Sequence, residues 1–196
     1  MTKQLDDQGL ELIFRGARTR GAWSEEKIPE QVLRNVYELT SLGPTSLNSS
    51  PARFLFLTSE AAKARLLPLM IKSNRDKTAA APCIVIIGHD LAFGERFPVL
   101  FPAKPELKDS FADHAKHEVM AFRNGTLQGG YLILAARALG LDCGPMSGFD
   151  NAGVDKVFFS GTRIQSNFIC SIGYGDPASV FPRNPRLSFE EAGRVA

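Results

Sequence analysis

Residues 127–139 constrain this chain more than any other stretch. Leu127, Tyr131, Leu132, Leu134, Ala135, Ala136, Ala138 and Leu139 are apolar nearly all round a helix. A helix without a polar face has to lie in the centre of a protein or of an oligomer. The helical pattern reaches back, so the spacing predicts one long helix over 111–141. Gly125, Gly129 and Gly130 interrupt it, either kinking it or admitting a neighbouring backbone, and Gly140 ends it.

A second constraint is Cys83-Ile84-Val85-Ile86-Ile87, a continuous β-branched run that reads as a strand covered on both faces. Phe54-Leu55-Phe56-Leu57 reads as another strand and 167–172 as a third. Residues 5–17 are loosely helical. Val32, Leu33, Val36, Leu39 and Leu42 predict a helix with Pro29 in its first turn and Gly43-Pro44 at its end. Ser59 is placed to cap a helix through Leu66 and Leu67 that Pro68 disturbs. Residues 71–81 are polar and carry Asn74, Arg75 and Lys77. Residues 93–107 read as a loop with exposed Phe93, Phe97 and Phe101, either a lid or a packed surface loop. Residues 143–150 read as a Gly/Pro loop, followed by a short helix around 154–159, and Ser188-Phe189-Glu190-Glu191 as a helix start. With no repeat, low-complexity segment or linker, residues 1–196 are expected to form one α+β domain.

A net charge of +2, spread along the chain, argues against nucleic acid or a membrane surface as partner. No apolar run approaches the roughly 20 residues of a membrane span, and the N-terminus lacks the basic start and apolar core of a secretory signal. Cys83, Cys143 and Cys170 are odd in number and far apart, which suits a reducing cytoplasm rather than a disulfide framework or a zinc site.

Gly43-Pro44-Thr45-Ser46-Leu47-Asn48-Ser49-Ser50-Pro51 has no apolar period. Read alone, it is an ordinary Ser/Asn-rich surface loop, or one that meets a ligand with many hydrogen-bonding edges. Arg18-Thr19-Arg20 is likewise a solvated face or a set of planar donors for a phosphate. His114 and His117, with Glu118 beside them, stand one helical turn apart. A zinc site needs further ligands, so a solvated helix face is expected and no metal. In Gly144-Pro145-Met146-Ser147-Gly148 the serine stands one place late for a nucleophile elbow. There is no G-x-G-x-x-G after a strand and no P-loop.

The blocks taken together resemble the nitroreductase-type flavoproteins. Arg18-Thr19 resembles their basic-then-hydroxyl start, and 44–51 their P-S-S-x-N-x-Q-P loop. Gly140-Leu141 through Pro145-Met146-Ser147-Gly148-Phe149-Asp150 resembles their G-L…P-I-x-G-F segment, and Arg186 their C-terminal phosphate arginine. Within that family the blocks Gly43-Pro44-Thr45-Ser46, Ser50-Pro51-Ala52-Arg53, 137–142, 144–150 and 185–192 are similar to the malonic semialdehyde reductases of pyrimidine utilisation.

The resemblance implies a three-layer α+β fold with a mostly antiparallel central sheet flanked by helices, and a long central helix at a dimer interface. It implies a homodimer with FMN at the subunit interface and NADPH or NADH as reductant. Arg18, Thr19, Arg186 and Arg183 would hold the phosphate. Asn74 and Lys77 would approach the pyrimidine edge of the flavin, where a cation tunes the cofactor electrostatically. Pro145, Met146, Ser147 and Gly148 would line the flavin, with the Ser147 N–H at its N5. Pro44, Thr45, Ser46 and Asn48 would reach the partner's FMN. Arg53 or Arg123 would bind a substrate carboxylate, or either is a surface residue. No side chain is expected as a catalytic acid, because the cofactor carries the hydride. Two departures from the family pattern, Ser50 in place of Gln and Ala52 in place of Trp, remove bulk. The function expected is ping-pong reduction of 3-oxopropanoate to 3-hydroxypropanoate. The alternatives are a broad nitro, quinone or enone reductase, or a noncatalytic flavin-binding interaction module.

Overall fold

The structure, a computed structural model, describes residues 4–196. Four strands, β1 (Ala52–Leu57), β2 (Cys83–Asp90), β3 (Asp142–Met146) and β4 (Ile164–Gly173), form one sheet in the order β1-β2-β4-β3. Every neighbouring pair is antiparallel. The helices are α1 (Asp7–Leu10), α2 (Glu30–Ser41), α3 (Glu60–Leu66), α4 (Lys72–Ala80), α5 (Phe97–Leu100), α6 (Leu107–Ser110), α7 (Glu118–Ala138), α8 (Asn151–Phe158) and α9 (Phe189–Ala192).

The unbroken apolar run of β2 dictates the layering. Cys83, Val85 and Ile87 pack towards Leu33 and Val36 of α2 and Leu132, Ala135 and Ala136 of α7. Ile84 and Ile86 pack the other way, onto Leu66 of α3 and Val154 of α8. Alternation of side chains across a strand sends these sets to opposite faces, so β2 needs helices on both. The expected three layers follow, with β1 and β3 left as edges.

Several local expectations are corrected. Pro29 is the extended residue capping α2 (ψ 143°) and not part of its first turn. Residues 71–81, read only as polar, form α4 on a buried Asn74 and Thr78. Residues 143–146, read as loop, belong to β3, because their backbone pairs with β4 despite Gly144 and Pro145. The long helix starts at Glu118 and is not broken by its glycines. Gly125 packs on His89, where an added Cβ would lie 2.8 Å from the His89 Cβ, and Gly129 packs on Phe168 at 2.5 Å. Backbone approach, not kinking, is their use.

Phe93, Phe97 and Phe101 are not exposed. Phe93 and Phe97 are fully buried with Ala121, and Phe101 and Phe111 pack around them. The 93–107 segment is thus the packed alternative, carrying α5, part of α6 and a 3-10 turn over Phe93–Arg96. His114 and His117 are half-buried in a 3-10 turn instead of lying on a solvated face. His117 stacks on Phe111 at 4.1 Å, and the His114 Nε2 stands 3.3 Å from Arg163 and 3.8 Å from Glu95.

Cys83, Cys143 and Cys170 are buried free thiols. Burial pushes the Cys83 thiol up to about 12, with Lys63 acting against it. Among the described residues no His/Cys/Asp/Glu group is arranged to hold a metal, and no helix is long and apolar enough to cross a membrane.

Candidate functional site

Segment 13–20 is fixed against the outer edge of β3. Thr19 bridges Cys143, and the Arg20 N–H donates to the Cys143 carbonyl at 3.1 Å. Gly144 permits this approach, since a Cβ there would lie 2.6 Å from the Arg20 carbonyl oxygen. Arg20 is taken up structurally, paired with Asp142 at 3.2 Å and donating to the Asp176 carbonyl.

Arg18 has no such carboxylate among the described residues. Its Nη1 donates to the carbonyls of Arg15 (2.8 Å) and Ala17 (3.0 Å), and its buried Nε has no partner among the described residues. Arg183 returns from the far end of the chain to the same turn. Its Nη2 donates to the carbonyls of Phe14, Arg15 and Ala17 at 2.8, 2.8 and 2.9 Å. Partial desolvation, followed by the like charges of Arg18, Arg186 and Arg137, holds the Arg183 guanidinium below its usual range, with Glu11 acting the other way. Among the described residues Arg186 donates only to the carbonyls of Asn184 and Pro185. Guanidiniums gathered on carbonyls, one with an unpaired buried N–H, suit a multiply charged anion with several acceptor oxygens.

The other end of β3 carries the second part of the site. Asn74, buried in α4, donates to the Gly148 carbonyl at 3.1 Å, and the Ile71 N–H donates to that same oxygen at 3.1 Å. Thr78 reaches the Met146 sulfur at 3.8 Å. Gly148 is required here, because a Cβ would collide with Ile71 and lie 2.8 Å from the Asn74 amide. Pro145 and Ser147 are exposed on this turn. Lys77, one turn beyond Asn74, is half-buried without a hydrogen-bond or ion-pair partner among the described residues.

The 43–51 loop lies elsewhere, at the start of β1 on the opposite edge of the sheet. It is held by one face of α7. The Asn124 Oδ1 accepts from the Ser46 N–H at 2.8 Å, the Gln128 Oε1 from the Ala52 N–H at 2.9 Å, and the Tyr131 hydroxyl donates to the Pro44 carbonyl at 3.0 Å. Asn48 donates to the Leu100 carbonyl at 2.7 Å, and the Thr45 hydroxyl accepts from the Ser50 N–H at 3.1 Å. Leu47, Asn48 and Ser50 all have positive φ (54°, 52° and 40°), a conformation costly for non-glycine residues and held only by surrounding contacts.

The structure therefore brings Arg18, Thr19, Arg183, Arg186, Asn74, Met146 and Gly148 to the two ends and outer side of β3. It leaves Pro44, Thr45, Ser46 and Asn48 at the β1 edge, three strand spacings away, roughly 14 Å or more. Within one chain these sets do not meet. Arg53 is spent on Asp90 at 2.7 Å and on the carbonyls of Ser50 and Ala52. Arg123 is exposed on α7 without an ion-pair partner among the described residues. A groove of ≈ 1300 Å³ opens between α2 and β1, and Asn48, Ser50, Ala52 and Arg53 are among its walls.

Asn124, Gln128, Tyr131 and Arg137 escaped the sequence reading. Asn124, Gln128 and Tyr131 stand at i, i+4 and i+7 on one face of a helix that also carries Glu118, Arg123, Thr126 and Arg137, and that spacing was the available signal.

His89 is a further buried polar group. It is 3% exposed, lies against Gly125 and edge-on to Phe122, and its Nδ1 has no partner among the described residues. Desolvation lowers its pKa from 6.5, opposed by Glu118, Asp155 and Gln165. An imidazole kept neutral in the native state takes up a proton more readily when unfolded. Its contribution is therefore complete above the unfolded pKa and is lost as pH falls from about 6.5 towards the lower native value. Melting temperature should fall between pH 7.5 and 5.5, and His89→Gln should flatten that slope. Parallel slopes for the two proteins would exclude His89 as the cause.

The nitroreductase family profile matches residues 17–174. A protein of Caulobacter sp. strain K31, provisionally named an NADH dehydrogenase/NAD(P)H nitroreductase, is 58% identical over 192 residues, covering 98% of each chain. One from Stenotrophomonas maltophilia strain K279a, with the same provisional name, is 54% identical over the whole of both chains. Among solved structures, a provisionally named nitroreductase from Exiguobacterium sibiricum in complex with FMN superposes with a TM-score of 0.86 over the full length of both, at 21% identity. An enone reductase of gut-bacterial fatty acid saturation gives 0.81 over 98% of this chain and 99% of its own, at 16% identity. These likenesses support the fold, while the profile and the close relatives fix the family. The chain belongs to the nitroreductase family.

Proposed function

We propose that this chain is an FMN-dependent NAD(P)H oxidoreductase that works as a homodimer and reduces malonic semialdehyde. The observation that carries the cofactor reading is the gathering of Arg18, Arg183 and Arg186 from both ends of the chain beside one end of β3, whose other end carries the Asn74–Gly148 turn. The unpaired Arg18 Nε suits a phosphate oxygen, and the amide and peptide groups of 74 and 145–148 suit the polar edges of a flavin. The name of the close relatives and the FMN of the Exiguobacterium structure agree with this.

Bound FMN would supply the two-electron redox chemistry, accepting hydride from NAD(P)H and passing it to the acceptor. Arg18, Thr19, Arg183 and Arg186 would hold the phosphate, and Lys77 would add positive charge beside the pyrimidine edge. Met146 and Gly148, fixed by Thr78 and Asn74, would set the height of the 145–148 turn. The 43–51 loop lies too far from this cluster to serve its own chain's site, so it is assigned to the partner's. The exposed apolar side chains Leu42 (79%), Val119 (60%) and Phe122 (49%) on or beside α2 and α7 give the two chains a surface to share.

Malonic semialdehyde is assigned from the similarity to its reductases and from Ser50 and Ala52, small residues on the wall of the groove. Arg123 is the freer of the two candidate arginines for the substrate carboxylate, since Arg53 already neutralises Asp90. The net reaction is 3-oxopropanoate, NAD(P)H and a proton giving 3-hydroxypropanoate and NAD(P)+. A broad nitro, quinone or enone reductase is the second reading, favoured by the nitroreductase name of the relatives. Comparing kcat/KM for 3-oxopropanoate, a quinone and a nitroarene separates them. The aldehyde should be the best substrate, and negligible turnover of it would leave the broad reading. Anaerobic NADPH or NADH should bleach the flavin band; binding without bleaching would indicate a noncatalytic flavin-binding module.

A further inference from the structure

Arg137 stands in the last turn of α7, whose other end holds the 43–51 loop. A cation there suits the negative end of the helix, but that preference leaves its hydrogen bonding unexplained. Its Nη1 donates to the Ile13 carbonyl at 3.2 Å, while its Nε is buried and donates to nothing among the described residues. Ile13 belongs to the same turn that receives Arg18 and Arg183. Three guanidiniums from residues 18, 137 and 183 thus converge on the carbonyls of residues 13, 14, 15 and 17.

The arginines nearby that serve structure alone have carboxylates. Arg15 has Asp7 at 2.9 Å, and Arg20 has Asp142 at 3.2 Å as an ion pair, although its buried Nε makes no well-directed hydrogen bond; what sets Arg18 and Arg137 apart is the missing carboxylate. Among the described residues Arg18, Arg137 and Arg183 have only peptide oxygens, and Arg18 and Arg137 each keep a buried N–H unused. A guanidinium offers five donors in a fixed fork, matched to the oxygens of a phosphomonoester. A buried donor left unpaired is rare without a ligand, ion or water to meet it.

We propose that Arg137 is a further phosphate-binding residue of this site, donating to the phosphomonoester of the cofactor together with Arg18, Arg183 and Arg186. This rests on the FMN reading above. It also places both ends of α7 at flavin sites, the C-terminal end at the chain's own and the Asn124 end at the loop lent to its partner.

The test is titration of flavin-free protein with FMN and, separately, with riboflavin, which lacks the phosphate. Arg137→Gln should raise the Kd for FMN by ~30-fold or more, as for removal of one partner of a desolvated charge pair. Riboflavin affinity should stay within about twofold of the wild type's, because the isoalloxazine contacts are untouched. Arg137→Lys should fall between, keeping the charge but losing the fork. Equal losses for both flavins in both variants would make Arg137 a structural support of segment 13–17 and overturn the proposal, as would unchanged FMN affinity. If wild-type protein binds FMN no more tightly than riboflavin, the phosphate site itself is refuted and Arg137's role with it. If it binds FMN tightly and only the variants are indifferent, the FMN reading stands and Arg137 alone is removed.

Discussion

Arg18→Ala should weaken FMN binding by about 2–5 kcal/mol, which is ~30-fold to several thousandfold in Kd. Arg18 is half-buried against the 15–17 turn, and its buried Nε–H has no partner among the described residues. A charged donor so placed contributes little to the fold and much to an anion that completes it. Its loss also removes one of the like charges that lower the Arg183 pKa. The variant should therefore fold at least as stably as wild type while losing FMN during dialysis. The measurement is flavin retained per protein after dialysis, beside a thermal melt of the flavin-free form. Full retention would take the phosphate away from this cluster. A large drop in the melting temperature of the flavin-free protein would instead assign Arg18 to structure.

Gly144→Ala should act in the opposite order, on the fold first and on the cofactor through it. The new Cβ would lie 2.6 Å from the Arg20 carbonyl oxygen, a backbone atom that no rotamer change can move aside. Relief requires segment 18–20 to leave β3, breaking the Thr19–Cys143 bridge and the Arg20 N–H to Cys143 bond. Overpacking of this kind costs about 1–3 kcal/mol. For a chain of this size that corresponds to a fall of about 2–4 °C in melting temperature per kcal/mol. Because Arg18 moves with the segment, FMN affinity should fall as well, though less than in Arg18→Ala. A variant melting with the wild type and keeping its flavin would mean that the edge of β3 has room the structure does not show.

The elements that were legible are those whose pattern is local and strong. β2 is readable because five consecutive apolar residues satisfy only a strand with both faces covered, and all five are buried. The ends of α2 and α7 are readable from Gly43-Pro44 and Gly140, the latter at φ 79°. Ser59 and the Ser188/Glu191 capping box are readable because a side-chain acceptor two or three residues before a run of N–H groups is a local event. β3 was missed because Asp-Cys-Gly-Pro-Met carries neither β propensity nor alternation; pairing with β4 overrides both. The aromatics at 93–101 were misread because their partners, Ala121 and Phe111, lie 10 to 28 residues further on and only packing brings them together.

For the site, the sequence by itself determined the residue types and their order. It supplied arginines near both ends, an amide and a lysine on one segment, a Gly-rich turn and a Ser/Asn-rich loop. Resemblance could name them as one family's blocks. Only the tertiary structure decided that Arg18 and Arg183 share one turn, that Asn74 holds Gly148, and that the 43–51 loop lies at the far edge of the sheet. The physical reason is that strand order in an antiparallel sheet is set by long-range pairing and by covering both faces of β2. Neither is encoded in the spacing of the residues it brings together.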